Sequence, residues 1–216
     1  MAALSVERVA ANLAGVRARI AAAAARAGRD PAEVEVLAAV KYLAGPDLEV
    51  LADAGIALVG ENRAQDLVEK ARYAEGRLRW HFIGALQSRK IKQIVPHVEL
   101  IHSVATDSAL RELGRHAAPS FEILIEVNVA REPGKAGIAP EDLDAFIARS
   151  PVAVAGLMTM PPQTDDPQSS RPYFEQLAAL ARSRGLRHLS AGTSQDFEIA
   201  VESGATIVRI GTSLFR

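Results

Sequence analysis

Along the chain, short apolar runs alternate with stretches whose apolar positions recur every three or four residues. The first element reads as a helix. Over residues 5–27, Val6, Val9, Leu13, Val16 and Ile20 share one stripe, while Glu7, Arg8, Arg17 and Arg19 fall mostly off it. Eight candidate strands follow: VEVLAAVK (34–41), ALVGEN (57–62), RWHFIG (79–84), LIHSV (100–104), FEILIEVNV (121–129), VAVAGLMTM (152–160), RHLSAG (187–192) and TIVRIG (206–211). Between them the spacing predicts helices at about 46–55, 63–74, 87–95, 106–116, 140–149, 171–184 and 195–203.

No hairpin dipeptide joins any two of these strands, so parallel β/α units are expected rather than a meander. Eight such units close most economically into a (β/α)8 TIM-type barrel. A doubly wound open sheet is the alternative, but KYLAGP is not the Gly-rich phosphate turn its first strand would carry. The expected organisation is one α/β domain over 1–216, with an extra N-terminal helix within 1–30 and the barrel in 34–216. That helix is expected to cover the place where a final barrel helix would lie.

Alternation within the strands separates two faces. In FEILIEVNV, Phe121, Ile123, Ile125 and Val127 form one face; Glu122, Leu124, Glu126 and Asn128 form the other, with its polar members gathered toward the C-terminal end. The same parity groups Lys41 with Leu37 and Ala39, Asn62 with Gly60, His81 with Ile83, Met160 with Met158, and Arg209 with Ile207 and Gly211. These side chains fall at or near strand C-termini, where the active sites of such barrels are built.

Composition narrows the partners. Charged residues make up 24% and the net charge is −1, which argues against nucleic acid as a ligand. The absence of cysteine removes disulfides, thiolate zinc sites and a cysteine nucleophile. IAAAAARAG is interrupted by arginines on both sides, and no apolar run is long enough for a membrane span, so a cytoplasmic protein is expected. His81, His97, His102, His116 and His188 lack close ligand spacing, and no metal site is expected. Asp107, Asp142 and Asp196 stand where helix caps are expected.

Lys41 ends an apolar strand on its inward parity, and a desolvated lysine is the residue type that forms Schiff bases. A snorkelling surface cation is the structural reading of the same residue. Arg209, flanked by Val208 and Ile210, needs a buried acceptor, either a ligand or a salt bridge to Glu126 or Glu61. Gly192-Thr193-Ser194 and Gly211-Thr212-Ser213 form two small, hydroxyl-bearing turns after strands seven and eight, the usual phosphate position of this fold. Capping by Ser194 and Thr212 would explain one turn but not the repetition.

Taken together, the lysine ending strand one, GENRAQDL (60–67), WHFIGALQSRK (80–90), IHSV (101–104), VNVAREPGKAGI (127–138), GLMTMPP (156–162) and LSAGTSQDFEIAVESGATIVRIGTSLF (189–215) resemble the pyridoxal phosphate homeostasis proteins, the YggS/PROSC family. The resemblance runs from about residue 34 onward. It implies a barrel like the N-terminal domain of alanine racemase, holding pyridoxal 5′-phosphate as a Schiff base on Lys41. Asn62 and Met160 would line the cofactor, Arg209 would face the pyridine nitrogen, and Ser194, Gly211 and Thr212 would hold the phosphate. Ser190 and Gly192 belong to the same cofactor-binding set.

The implied role is carriage or regulation of the cofactor pool, in vitamin B6 and amino-acid homeostasis, by a monomer without established catalysis that serves pyridoxal phosphate-dependent apo-enzymes. An arginine at the pyridine nitrogen keeps it unprotonated and limits carbanion chemistry. The sequence departs from the family pattern at Val40, at Tyr42-Leu43-Ala44, at Thr193 and at Arg216. Two other classes follow from the same residues. One is a racemase-like enzyme with Lys41 as one base and Tyr42 or His81 as the other; the second is a phosphate-substrate barrel enzyme without a cofactor, using Lys41 as an electrophile.

Overall fold

The computed structural model describes residues 4–216. Helix α1 (Val6–Arg26) precedes the barrel, and Ser5 caps it by accepting a hydrogen bond from the Arg8 amide. Its buried stripe is Val9, Leu13, Val16, Ile20, Ala23 and Ala24. The strands are β1 (Glu35–Ala39), β2 (Leu58–Glu61), β3 (Arg79–Phe82), β4 (Leu100–Val104), β5 (Glu122–Glu126), β6 (Ala153–Met158), β7 (His188–Ser190) and β8 (Ile207–Ile210). Helices α2 (Asp47–Asp53), α3 (Ala64–Lys70), α4 (Ile91–Ile94), α5 (Asp107–His116), α6 (Leu143–Ala148), α7 (Arg171–Arg182) and α8 (Phe197–Glu202) follow the first seven strands in turn, and α9 (Thr212–Phe215) follows β8.

All eight strands pair in parallel, each with its neighbours in sequence, and β1 closes the barrel against β8. The predicted elements are all present, several of them shortened. The stretch 87–95 is a 3-10 turn before a single α turn, because Pro96 removes the donor that would have extended it. Helix α1 packs against α2, α8 and α9, covering the β8–β1 seam as expected.

Two apolar layers follow from the alternation. Outward-facing strand residues pack under the helices, while Leu37, Leu58, Leu100, Leu124, Met158 and Ile207 plug the barrel interior, with Ile83 against them. Gly60 makes room inside: a Cβ there would lie 2.5 Å from Leu37 Cδ2 and 2.9 Å from Ile83 Cδ1. The inward parity assigned to Leu37, Ile83, Leu124, Met158 and Ile207 is the one observed. With the lower barrel filled by hydrocarbon, polar chemistry is left to the strand C-termini. Among the described residues no helix is long and apolar enough to cross a membrane, and no cluster of metal-ligating side chains occurs.

Candidate functional site

At the C-terminal face of the barrel lies a mouth of about 630 Å³, a size that suits a small-molecule ligand. Seven of the nine candidate residues line it: Lys41, Asn62, Met160, Ser194, Arg209, Gly211 and Thr212. Ser190 and Gly192 do not. Ser190 is fully buried beneath the mouth, and Gly192 turns the chain behind its wall. At Gly192 φ is +86°, and a Cβ would stand 2.6 Å from Ala200 Cβ and 2.7 Å from Phe197 Cα, so glycine alone lets this loop lie on α8.

Lys41 corrects an expectation. Strand β1 ends at Ala39, so Lys41 stands two residues beyond it, in a turn, and is exposed rather than desolvated. No carboxylate pairs with it among the described residues; its Nζ lies 4.8 Å from the centre of the Tyr42 ring. The amine is therefore free to meet a ligand in the mouth. Its backbone is nevertheless held. Lys70 Nζ, buried on α3, donates to the carbonyl of Val40 at 2.9 Å and pairs with Glu61 Oε2 at 2.6 Å. Glu61 Oε1 in turn accepts from the amide of Asn62 at 2.6 Å and that of Arg63 at 3.3 Å. One buried ion pair thus fixes the residue before Lys41 and the backbone of Asn62. Among the described residues the Asn62 side chain makes no hydrogen bond, and its Oδ1 is buried without a partner.

Of the two readings of Arg209, the salt bridge falls away, since among the described residues no carboxylate lies within salt-bridge distance of it. Glu61 faces outward to Lys70, and Glu126 acts on Arg209 only at longer range, as does Asp196. Nη1 of Arg209 donates to Ser190 Oγ at 2.5 Å; Nη2 donates to the Thr159 carbonyl at 3.0 Å and approaches Met160 Sδ at 2.9 Å. Burial pulls the guanidinium down to about 10, with the charges of Asp196 and Glu126 opposing, so it stays protonated at neutral pH. Burial raises Glu126 above the usual carboxylate range, against the opposing effects of Arg209 and Lys135.

The two glycine-hydroxyl turns are joined directly. Ser194 Oγ accepts a hydrogen bond from the Gly211 amide at 3.2 Å. The capping alternative for Ser194 falls away: α8 begins after Asp196, whose carboxylate accepts from the Thr193 amide at 2.7 Å and the Thr193 hydroxyl at 3.1 Å. Thr212 is the first residue of α9 rather than its cap. Asp107 and Asp142 make no side-chain cap either; Thr106 caps α5, and Asp107 meets Arg149. Asn128, grouped with the inward polar face, bonds instead to the Glu132 backbone of its own loop.

Sequence reasoning left His102 without a role. Its ring, fully buried inside the barrel, bonds to Ser190 Oγ through Nδ1 at 2.9 Å and to His81 Nδ1 through Nε2 at 3.0 Å. A signal existed: in LIHSV, His102 shares the parity of Leu100, which plugs the interior. His81, weighed as an opposite-face base, is buried in this chain and does not line the mouth. Tyr42 does line it, with 74% of its surface exposed. Burial drives His81 down to about 3, with further lowering by Arg79 and His188, and drives His102 well below the normal range, so both rings are neutral.

Comparison with known proteins agrees with this geometry. Residues 11–216 match the family model described as "Alanine racemase, N-terminal domain". The chain is 39% identical to a pyridoxal phosphate homeostasis protein of Aquifex aeolicus, over 94% of this chain and 96% of that one. It is likewise 39% identical to the protein of that name from Pseudomonas aeruginosa, over 96% and 94%. Among solved structures, PipY of Synechococcus elongatus with PLP bound superposes with a TM-score of 0.80 at 29% identity, covering 96% of this chain and all of that one.

Proposed function

Because the chain belongs to the pyridoxal phosphate homeostasis family, within the alanine racemase N-terminal domain class, we propose that its barrel mouth binds pyridoxal 5′-phosphate and serves intracellular homeostasis of that cofactor. The observation that carries the reading is the donor set of the mouth. An exposed, unpaired amine at Lys41 meets an aldehyde, a charged guanidinium at Arg209 meets a ring nitrogen, and the unpartnered Oδ1 of Asn62 awaits a donor. The Ser194 and Thr212 hydroxyls, with the Gly211 backbone, meet a phosphate.

When bound, the cofactor supplies an aldehyde that condenses with an amine, with loss of water, and a ring that withdraws electrons. The residues of this chain temper that chemistry. Arg209 donates its hydrogen bonds and keeps its own proton, so it supports a ring nitrogen without protonating it. The two histidines beneath are neutral and bring no acid to the ring. Lys41 anchors, Met160 and Ile83 wall the ring position, and Asn62 orients it. Holding is favoured over turnover, and the same reading takes the protein as a cytoplasmic monomer that delivers cofactor to apo-enzymes.

The decisive experiment is spectroscopic. Incubated with pyridoxal phosphate, the protein should gain a visible absorbance band; borohydride should fix the added mass on the peptide containing Lys41, and Lys41→Ala should abolish both. Protein that stays colourless would sink the reading. Sustained formation of D-amino acids from L-amino acids would show a racemase-like enzyme in place of a carrier, and light scattering checks the monomer.

A further inference from the structure

Arg209 is buried, charged and without a directly bonded carboxylate, which raises the question of what balances it. Below it runs a file of neutral groups inside the barrel: Ser190 on β7, His102 on β4 and His81 on β3, linked by bonds of 2.9 and 3.0 Å. The direction of this file can be worked out. Arg209 has no acceptor, so Ser190 Oγ accepts from it. Ser190 is fully buried, and among the described residues its hydroxyl has one other partner, His102 Nδ1.

If His102 carried its proton on Nδ1, it too would donate to Ser190, and the serine proton would have no acceptor. A buried hydroxyl proton with no acceptor is strongly disfavoured, so the opposite direction wins. The Ser190 hydroxyl then donates to His102 Nδ1, His102 Nε2–H donates to His81 Nδ1, and His81 keeps its proton on Nε2. Every acceptor end in the file points toward the guanidinium. Oriented dipoles of this kind stabilise a charge while themselves staying neutral.

We propose that His102, backed by His81, is a positioning residue: by receiving the Ser190 hydroxyl proton it turns the serine's lone pairs to Arg209 and holds that guanidinium as a charged donor for the cofactor's ring nitrogen. The last step rests on the reading of the mouth as a pyridoxal phosphate site. The file itself does not. Asp196 and Glu126 add longer-range charge, and the Thr159 carbonyl takes a second guanidinium N–H, but the file is what anchors the Nη1 side.

Nitrogen-15 NMR of histidine-labelled protein, with and without cofactor, tests the file. Both His102 and His81 should be neutral Nε2–H tautomers from pH 5 to 8; a proton on His102 Nδ1, or a charged ring, would overturn the proposal. This measurement uses the wild-type chain, so no folding defect intrudes, and it stands even where the protein proves colourless with cofactor. In the loaded protein, His102→Leu should bind pyridoxal phosphate roughly tenfold more weakly, the order expected for one disrupted buried hydrogen bond. Its visible band should shift as well. His102→Asn, whose Oδ1 can accept the serine proton, should restore both toward wild type. A folded His102→Leu protein with unchanged affinity and spectrum would refute the positioning role.

Discussion

Two lysines approach the same strand end from opposite sides, and almost everything about them differs. Lys70, on α3, is buried outside the barrel, paired with Glu61 and bonded to the Val40 carbonyl; Lys41, the residue after Val40 and in the turn beyond the strand, is exposed at the mouth with no carboxylate beside it among the described residues. Both are primary amines, and that of Lys70 bonds to the backbone one residue before Lys41. Pairing and exposure decide their work: the partnered amine holds the chain, and the free one is left to react. The comparison also shows how a barrel keeps an exposed amine in place, through a buried ion pair gripping the residue before it.

The sharpest way to break that contrast is to remove each amine. Lys41→Ala should lose the cofactor's visible band entirely while the urea midpoint stays near wild type, because no partner is orphaned. Lys70→Met should do the reverse. With Glu61 stranded in the core, stability should fall by about 3–5 kcal/mol in urea unfolding, and replacing Glu61 with Gln in the same chain, which removes the charge and keeps the acceptor for the Asn62 and Arg63 amides, should recover much of it. A Lys70→Met protein as stable as wild type would mean the pair is not the clamp described.

A smaller effect comes from acid. His81 is neutral in the folded barrel down to about pH 3, whereas the unfolded chain protonates it near pH 6.5. Between those values the unfolded state binds more protons, so the contribution of His81 is fully present above pH 6.5 and is lost as pH falls toward 3, at up to about 1.4 kcal/mol per unit. Urea midpoints across pH 4 to 7 should show this slope, and His81→Phe should make it shallower, with His102, lowered in the same sense, keeping the rest. The smallest effect belongs to the exposed Arg79–Glu35 pair at the far end of the barrel: Glu35→Gln should change stability by less than ~1 kcal/mol.

Much of the fold was legible because apolar alternation and helical spacing each leave a periodic trace. Lys41, Arg209 and the two hydroxyl-bearing turns were legible for the same reason, as polar interruptions at strand ends. What was misread depended on where the chain turns and which way a single residue points. The turn after Ala39 carries Lys41 into solvent, a matter of two residues. Glu61 alternates with Gly60 and Asn62, so it faces α3 and could not meet Arg209. The partner of Arg209 proved to be Ser190, a neutral residue whose importance comes from distant β4 and β3, and no local pattern announces such a contact.

The closure of β1 against β8 has a consequence for folding. Leu37 pairs in register with Arg209, so the lysine and the arginine that would hold the cofactor become neighbours only when the sheet shuts into a ring. A half-assembled sheet has both residues and no site. Cofactor would then act as a latch on ring closure, populating the shut form by mass action and slowing its opening in proportion to how tightly it binds. Supply of the small molecule and survival of the scaffold would be two readings of one equilibrium.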